Sequence, residues 1–83
     1  MTIADTTTQL TLRESVKNSI ISYFSKLEGN STTNIYQLVL TEVEIPLLEI
    51  VMQQAQGNQS KAAKWLGISR NTLRKLLEKY NIV

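Results

Sequence analysis

The sequence predicts an all-α protein of four helices, the last two of which form a C-terminal helix-turn-helix. Apolar residues recur at spacings of three and four along most of the chain, glycine occurs only at positions 29, 57 and 67, and the one proline is Pro46. The 83 residues make one small domain, and a chain this short buries a modest fraction of its surface when it folds alone. We therefore expect it to associate with a second copy.

The N-terminal part of the chain predicts a short segment followed by the first helix. Residues 1–10 are rich in threonine and lack periodicity, so we expect a flexible segment. Thr11 and Glu14 have the spacing of a capping box, in which each residue binds the backbone amide of the other. The helix should end near Gly29 and Asn30. Its apolar stripe consists of Leu12, Val16, Ile20, Tyr23, Phe24 and Leu27.

Residues 35–55 predict a second helix that is apolar over most of its circumference. Such a helix must be covered on more than one side. The first helix can cover one side, and a second copy of the chain is the simplest cover for the other. Pro46 predicts a kink, and the alternative of two separate helices is disfavoured because the apolar spacing continues in phase across it. One stripe holds Ile35 and the residues that we assign to the dimer interface, Leu38, Val39, Val43, Leu47, Ile50 and Val51; the other holds Tyr36, Leu40, Leu48, Met52 and Ala55.

Residues 57–83 predict the helix-turn-helix. Asn58 can cap its first helix, and Gly67 can adopt the positive φ that ends this helix sharply. Ala63 is small where the second helix crosses, and Leu73 can close the core between the two helices. The predicted organisation is thus a flexible segment at 1–10, dimerisation helices at 11–56 and the helix-turn-helix at 57–83.

The charge is unevenly distributed along the chain. Residues 1–56 carry three basic and six acidic groups, whereas residues 57–83 carry six basic groups and one acid, so their formal charges are −3 and +5. A basic end on an acidic body favours a polyanionic partner for that end. A solvated basic helix face is the alternative.

The composition excludes several classes of function. Histidine and cysteine are absent, which removes the commonest general base, the usual zinc sites and any disulfide. Glu42, Glu44 and Glu49 form the only acidic cluster, and a solvated helix face predicts it equally well. We assign no catalytic residue, metal site or cofactor. No stretch approaches the roughly 20 apolar residues of a membrane span, and no export signal is recognisable, so we expect a cytoplasmic protein.

The second helix of the helix-turn-helix predicts contacts with double-stranded DNA. In such motifs the N-terminal part of this helix enters the major groove. Arg70 is the best candidate for a base contact, since a guanidinium can bind guanine O6 and N7 together. Ser69 and Asn71 are weaker candidates. An N-cap is the competing interpretation for Ser69, and a solvated amide is the competing interpretation for Asn71.

Further polar residues are predicted to bind phosphate, which positions a protein without reading sequence. Asn58 can also be simply a helix cap, and the two roles are compatible. Trp65 and Tyr80 are predicted to pack rather than to stack on bases, because each falls beside apolar partners. The predicted phosphate-binding residues are Asn58, Gln59, Ser60 and Lys61 before the turn and Thr72, Arg74, Lys75 and Lys79 after it.

The sequence from residue 12 to residue 80 resembles the Fis family, the bacterial nucleoid-associated proteins that bend DNA. The C-terminal motif alone is also similar to the DNA-binding ends of enhancer-binding activators, whereas the segment around Pro46 points to Fis. The matching stretches are LRESVK at 12–17, YF at 23–24, YQLVLTEVEIPLLEIVMQ at 36–53, GNQSKAA at 57–63 and LGISRNTLRK at 66–75.

The resemblance implies an intertwined homodimer that bends DNA, because its two recognition helices are too close together for successive major grooves of straight DNA. It implies a transcription regulator located at the nucleoid, with a DNA recombinase and RNA polymerase as candidate further partners. Ser69 stands where enteric members carry asparagine, which argues against a direct base contact there. Leu76 and Glu78 replace lysines, so we expect a weaker grip on flanking DNA. Residues 1–10 are shorter than the arms with which the family stimulates DNA inversion.

Two other functions are also compatible with the sequence. The chain can be the C-terminal DNA-binding domain of an enhancer-binding activator, although the match through residues 12–56 and the initial methionine favour Fis. A helical protein-interaction module that does not bind DNA is the alternative from another class. A slope close to zero in a salt titration of DNA binding would favour that module over a DNA-binding protein.

Overall fold

The computed structural model describes residues 11–83, and these residues are helical with no strand. The flexible segment predicted at 1–10 lies outside the described residues. Within residues 11–83, no helix is long and apolar enough to cross a membrane. The elements are α1 (Leu12–Lys26), α2 (Ile35–Gln54), α3 (Gln59–Leu66) and α4 (Arg70–Lys79).

Helix α1 begins at the predicted capping box. The Thr11 hydroxyl accepts a hydrogen bond from the Glu14 amide at 3.1 Å, and the Glu14 carboxylate accepts one from the Thr11 amide at 3.0 Å. The backbone bond, and secondly the bond from the Thr11 hydroxyl, lower the pKa of the Glu14 carboxyl. The loop after α1 is tied to the helix by a hydrogen bond between the hydroxyls of Tyr23 and Thr32, which lie 2.9 Å apart.

Helix α2 is one continuous helix of 20 residues with Pro46 inside it. This excludes the alternative in which Pro46 separates two helices, and the predicted kink stays a prediction. The backbone leaves α2 through two residues of positive φ, Gln56 and Gly57. The Gly57 amide donates to the Met52 carbonyl at 3.0 Å, which satisfies one of the last carbonyls of the helix.

The turn between α3 and α4 has the predicted form. Gly67 has a φ of 76°, and its amide donates to the Ala63 carbonyl at 2.9 Å. The next amide, that of Ile68, donates to the same carbonyl at 3.1 Å. A side chain at position 67 would therefore be held in a conformation that costs an L-residue roughly 1–2 kcal/mol. The chain thus passes from α3 to α4 within three residues, 67–69.

A single hydrophobic core joins α3 and α4 to the C-terminal half of α2. Ala63 and Leu73 both lie in it, as predicted. The second apolar stripe of α2 is therefore covered in part by the helix-turn-helix itself, which the sequence did not indicate. The buried core residues are Leu48, Met52, Ala55, Ala62, Ala63, Leu73 and Leu77, and Val51, Leu66, Ile68, Leu76, Tyr80 and Ile82 pack against them.

The chain divides into two compact units at the boundary between Ile35 and Tyr36. The first unit contains α1, none of whose residues is buried. The second contains nearly all of α2 together with α3 and α4. The division into dimerisation helices at 11–56 and a helix-turn-helix at 57–83 stays a prediction about function, and the shared core makes the end of α2 structurally part of the helix-turn-helix.

Candidate nucleic-acid interface

Ser69 is the N-cap of α4. Its hydroxyl oxygen accepts a hydrogen bond from the Thr72 amide at 3.0 Å, and its hydroxyl donates to the Thr72 hydroxyl at 2.8 Å. The capping interpretation of Ser69 is thus confirmed. The bond to the Thr72 hydroxyl uses the one hydroxyl hydrogen of Ser69, so a DNA base could approach this side chain only as a hydrogen-bond donor.

Replacing Ser69 by alanine should reduce the free energy of unfolding by about 0.5–2 kcal/mol, because one amide of the first turn loses its partner. Thermal unfolding followed by circular dichroism would measure the loss. Ser69→Asn is the matched control, since asparagine caps as well as serine and should restore the stability. An unchanged stability together with an altered DNA sequence preference would show instead that Ser69 acts as a base contact.

Arg70 is the first residue of α4 and is exposed. It projects from the end of the helix at which four backbone amides lack intrahelical partners and the helix dipole is positive. Both features attract an anionic ligand to the same end of α4. Arg70 thus lies beside Asn71 in the first turn of α4, directly after the N-cap residue Ser69.

Asn71 is exposed but already paired. Its amide oxygen accepts a hydrogen bond from the Arg74 guanidinium at 2.5 Å. This contact, one turn along the helix, holds the Arg74 side chain toward the N-terminal end of α4. Its amide hydrogens stay available, so Asn71 can still donate to a DNA acceptor.

The outer face of α4 is polar and mostly basic, while its inner face is apolar. Leu73 and Leu77 are buried and fix the rotation of the helix. Glu78 is the only acid on the outer face, and it lowers the positive potential near the C-terminal end. Every predicted phosphate-binding residue of α4 is exposed, namely Thr72, Arg74, Lys75 and Lys79.

The start of α3 adds a second cluster of candidate phosphate donors. Asn58 caps the helix by accepting a hydrogen bond from the Lys61 amide at 3.0 Å, as predicted. Ser60 and Lys61 are exposed, and Gln59 is half-buried. The amides of this first turn and the Lys61 ammonium form a cationic end in the same unit as the first turn of α4.

Trp65 does not pack among the apolar residues of the core, so the prediction that it is a packing residue is wrong. Its side chain is 55% exposed, and the Lys61 ammonium lies 5.6 Å from the centre of its ring. At 3.6 residues per turn, position 65 lies about 100° from the centre of the inward face formed by Ala62, Ala63 and Leu66. The position of Trp65 outside the inward face could therefore have been predicted from the sequence. Tyr80, by contrast, packs against the core as predicted.

The chain matches two family models. Residues 39–80 match the model described as "Bacterial regulatory protein, Fis family", and residues 1–32 match that described as "DNA-binding protein Fis N-terminal domain". The first match contains α3 and α4 and most of α2. The matches indicate a regulatory protein.

Individual relatives are similar over most of their length. The DNA-binding protein Fis of Proteus mirabilis is 51% identical over 78 residues, which cover 94% of this chain and 80% of the relative. The DNA-binding protein Fis of Actinobacillus succinogenes is 54% identical over 71 residues, 86% of this chain and 72% of the relative. The protein of that name from Yersinia enterocolitica is 51% identical over 78 residues. The chain therefore belongs to the Fis family of bacterial regulatory proteins.

Proposed function

We propose that this protein binds and bends double-stranded DNA as a homodimer and regulates transcription at the nucleoid, in the cytoplasm. The observation that carries the proposal is the basic, solvent-exposed face of α4, which begins with Arg70 at a capped helix N-terminus and is held outward by the buried Leu73 and Leu77. The relatives' name, DNA-binding protein Fis, supports the same ligand. An interaction module whose basic face is merely solvated does not require this arrangement.

The docking follows from the positions of these side chains. The first turn of α4 enters the major groove, where Arg70 binds a guanine and Ser69 and Asn71 lie close to the bases. Phosphate contacts on both sides of the groove hold the helix in register. They come from Thr72, Arg74, Lys75 and Lys79 on α4 and from Asn58, Gln59, Ser60 and Lys61 at the start of α3.

The exposed apolar side chains of α2 support the homodimer. Leu38, Leu47 and Ile50 are 40%, 46% and 54% exposed in the single chain. Burying a side chain of this size contributes roughly 1.5–3 kcal/mol. Val39 and Val43 are half-buried on the same stripe. Val51, also on that stripe, packs partly against the core. A second copy of α2 offers the same apolar stripe and is its natural cover.

Pairing through α2 would turn two groove-reading units into a DNA-bending protein. The core that joins α2 to α3 and α4 makes each helix-turn-helix continuous with the proposed dimer helix. The separation of the two α4 helices is then fixed, and DNA must adapt to it by bending. A DNA recombinase and RNA polymerase are proposed further partners of the complex.

Bending can be measured by fluorescence energy transfer between dyes at the two ends of a short duplex. We expect transfer to rise when the protein binds, because bending brings the ends together. Leu47→Lys is the control, since a monomer keeps its helix-turn-helix but cannot impose a separation between two of them. Binding that leaves the transfer unchanged would contradict bending while leaving DNA binding intact.

A further inference from the structure

Tyr80 connects the end of α4 to α2. It is the C-cap residue of α4, and its hydroxyl donates a hydrogen bond to the Glu44 carboxylate at 2.5 Å. The two residues are 36 positions apart and both are half-buried. A hydrogen bond to a carboxylate is shorter and stronger than one between neutral groups, and partial burial protects it from water.

The same tyrosine ring also contacts Lys79. The Lys79 ammonium lies 5.2 Å from the centre of the Tyr80 ring, within the range of a cation–π interaction. The Tyr80 side chain thus makes two contacts. Its hydroxyl donates a hydrogen bond to α2, and the face of its ring holds the last cation of the basic surface of α4.

The position of this contact determines what it can control. Leu73 and Leu77 fix the rotation of α4 about its axis, and Leu76 and Tyr80 pack against the core near its C-terminal end. Glu44 lies two residues before Pro46 in α2 and one helical turn before Leu48, the first buried core residue of that helix. The hydrogen bond therefore adds a second point of attachment between α2 and α4.

We propose that Tyr80 is a positioning residue for DNA recognition: through Glu44 it holds the C-terminal end of α4 against α2 and directs the Lys79 ammonium toward the phosphates of flanking DNA. The proposal rests on the proposed function and deepens it. Glu44, Tyr80 and Lys79 link the flanking phosphate to the helix that forms the dimer. Flanking DNA is then held at an angle that α2 sets.

Conservative variants separate this role from a merely structural one. Tyr80→Phe removes the hydroxyl but retains the ring over which Lys79 lies. Glu44→Leu removes the acceptor, whereas Glu44→Gln retains an oxygen that accepts the same hydrogen bond. Lys79→Ala removes the cation itself. Circular dichroism at the assay temperature establishes that each variant is folded.

The salt dependence of binding should be measured on two duplexes, one that ends at the recognised grooves and one extended on both sides. Loss of one phosphate contact per subunit reduces the slope of log K against log[salt] by about 0.9, or about 1.8 for a dimer. We expect Lys79→Ala to approach this reduction on the extended duplex. Tyr80→Phe and Glu44→Leu should show part or all of it, and neither should change the slope on the short duplex.

Two further results support the proposal if they appear together. Glu44→Gln should behave as wild type on both duplexes, and the double variant Tyr80→Phe with Glu44→Leu should lose no more than either single variant. A Tyr80→Phe protein with the wild-type slope on the extended duplex would overturn the proposal, and so would equal losses on the two duplexes. If the wild-type protein bound neither duplex, the proposed function itself would fail.

Discussion

Replacing Arg70 by alanine should weaken binding to a preferred DNA site by about 1–3 kcal/mol per subunit and relax the preference for guanine at the contacted position. Arg70 begins α4, where the exposed guanidinium is the one positive group in the first turn. A guanidinium that binds guanine O6 and N7 loses both bonds when any other base replaces the guanine. Equilibrium binding to a panel of duplexes with single substitutions measures the affinity and the preference together.

Arg74→Ala is the matched control. Arg74 lies one turn further along the same face, and its hydrogen bond to Asn71 holds it on that face. As a phosphate ligand it should strengthen binding to all sequences alike, so its loss should lower every affinity by a similar factor and reduce the salt slope. Equal, sequence-independent losses from both variants would refute the division of roles between the two arginines.

Replacing Leu47 by lysine should dissociate the homodimer. Burial of a leucine contributes roughly 1.5–3 kcal/mol, and the change occurs in both subunits, so the dimer dissociation constant should rise by about two to four powers of ten. Leu47 is exposed in the single chain, whereas its neighbour Leu48 is buried in the core. The substitution therefore leaves the core of the subunit intact. Sedimentation equilibrium over a range of concentrations measures the change.

Gln53→Lys provides the comparison for Leu47→Lys. Gln53 is exposed, lies on the same helix and is already polar, so the added charge should leave the dimer essentially unaffected. Circular dichroism should show the same helical content for both variants. If the Leu47→Lys protein remained a dimer at concentrations at which the wild-type protein is dimeric, the interface would have to lie elsewhere. The exposed stripe of α2 would then need another partner.

The features that the sequence predicted best depend on neighbouring residues. The Thr11 and Glu14 capping box, the Asn58 cap and the positive φ of Gly67 all follow from residue types within one helical turn. The apolar spacing across Pro46 likewise indicated a continuous α2. Local chemistry determines these features, so the structure adds distances but no change of interpretation.

The features that the sequence missed depend on residues far apart in the chain. Nothing local indicates that Leu48 and Met52 would pack under α3 and α4, or that Tyr80 would donate to Glu44. Periodicity identifies an apolar face but not its cover. Trp65 is different: its position off the inward face could have been read from the helical rotation, and its apolar neighbours gave a misleading signal.

Leu76 and Glu78 gain a physical explanation from the structure. Leu76 packs half-buried against the core, and Glu78 is exposed in the last turn of α4. Leu76 adds apolar packing and no charge, and Glu78 places a negative charge between Lys75 and Lys79 in the sequence. Both concentrate the positive charge of α4 toward its N-terminal end. We therefore expect DNA recognition to depend more on Arg70 than on contacts with flanking DNA.

The salt dependence of wild-type binding tests the central claim most directly. If the homodimer neutralises roughly eight phosphates, log K should fall linearly with log[salt] with a slope near −7, from about −0.9 per phosphate. The titration needs only the unmodified protein and a duplex long enough for both helix-turn-helix units. A slope near −7 would support recognition of DNA through the basic faces of α3 and α4. A slope close to zero would contradict it, because the cations that define the proposed interface would then not meet phosphate.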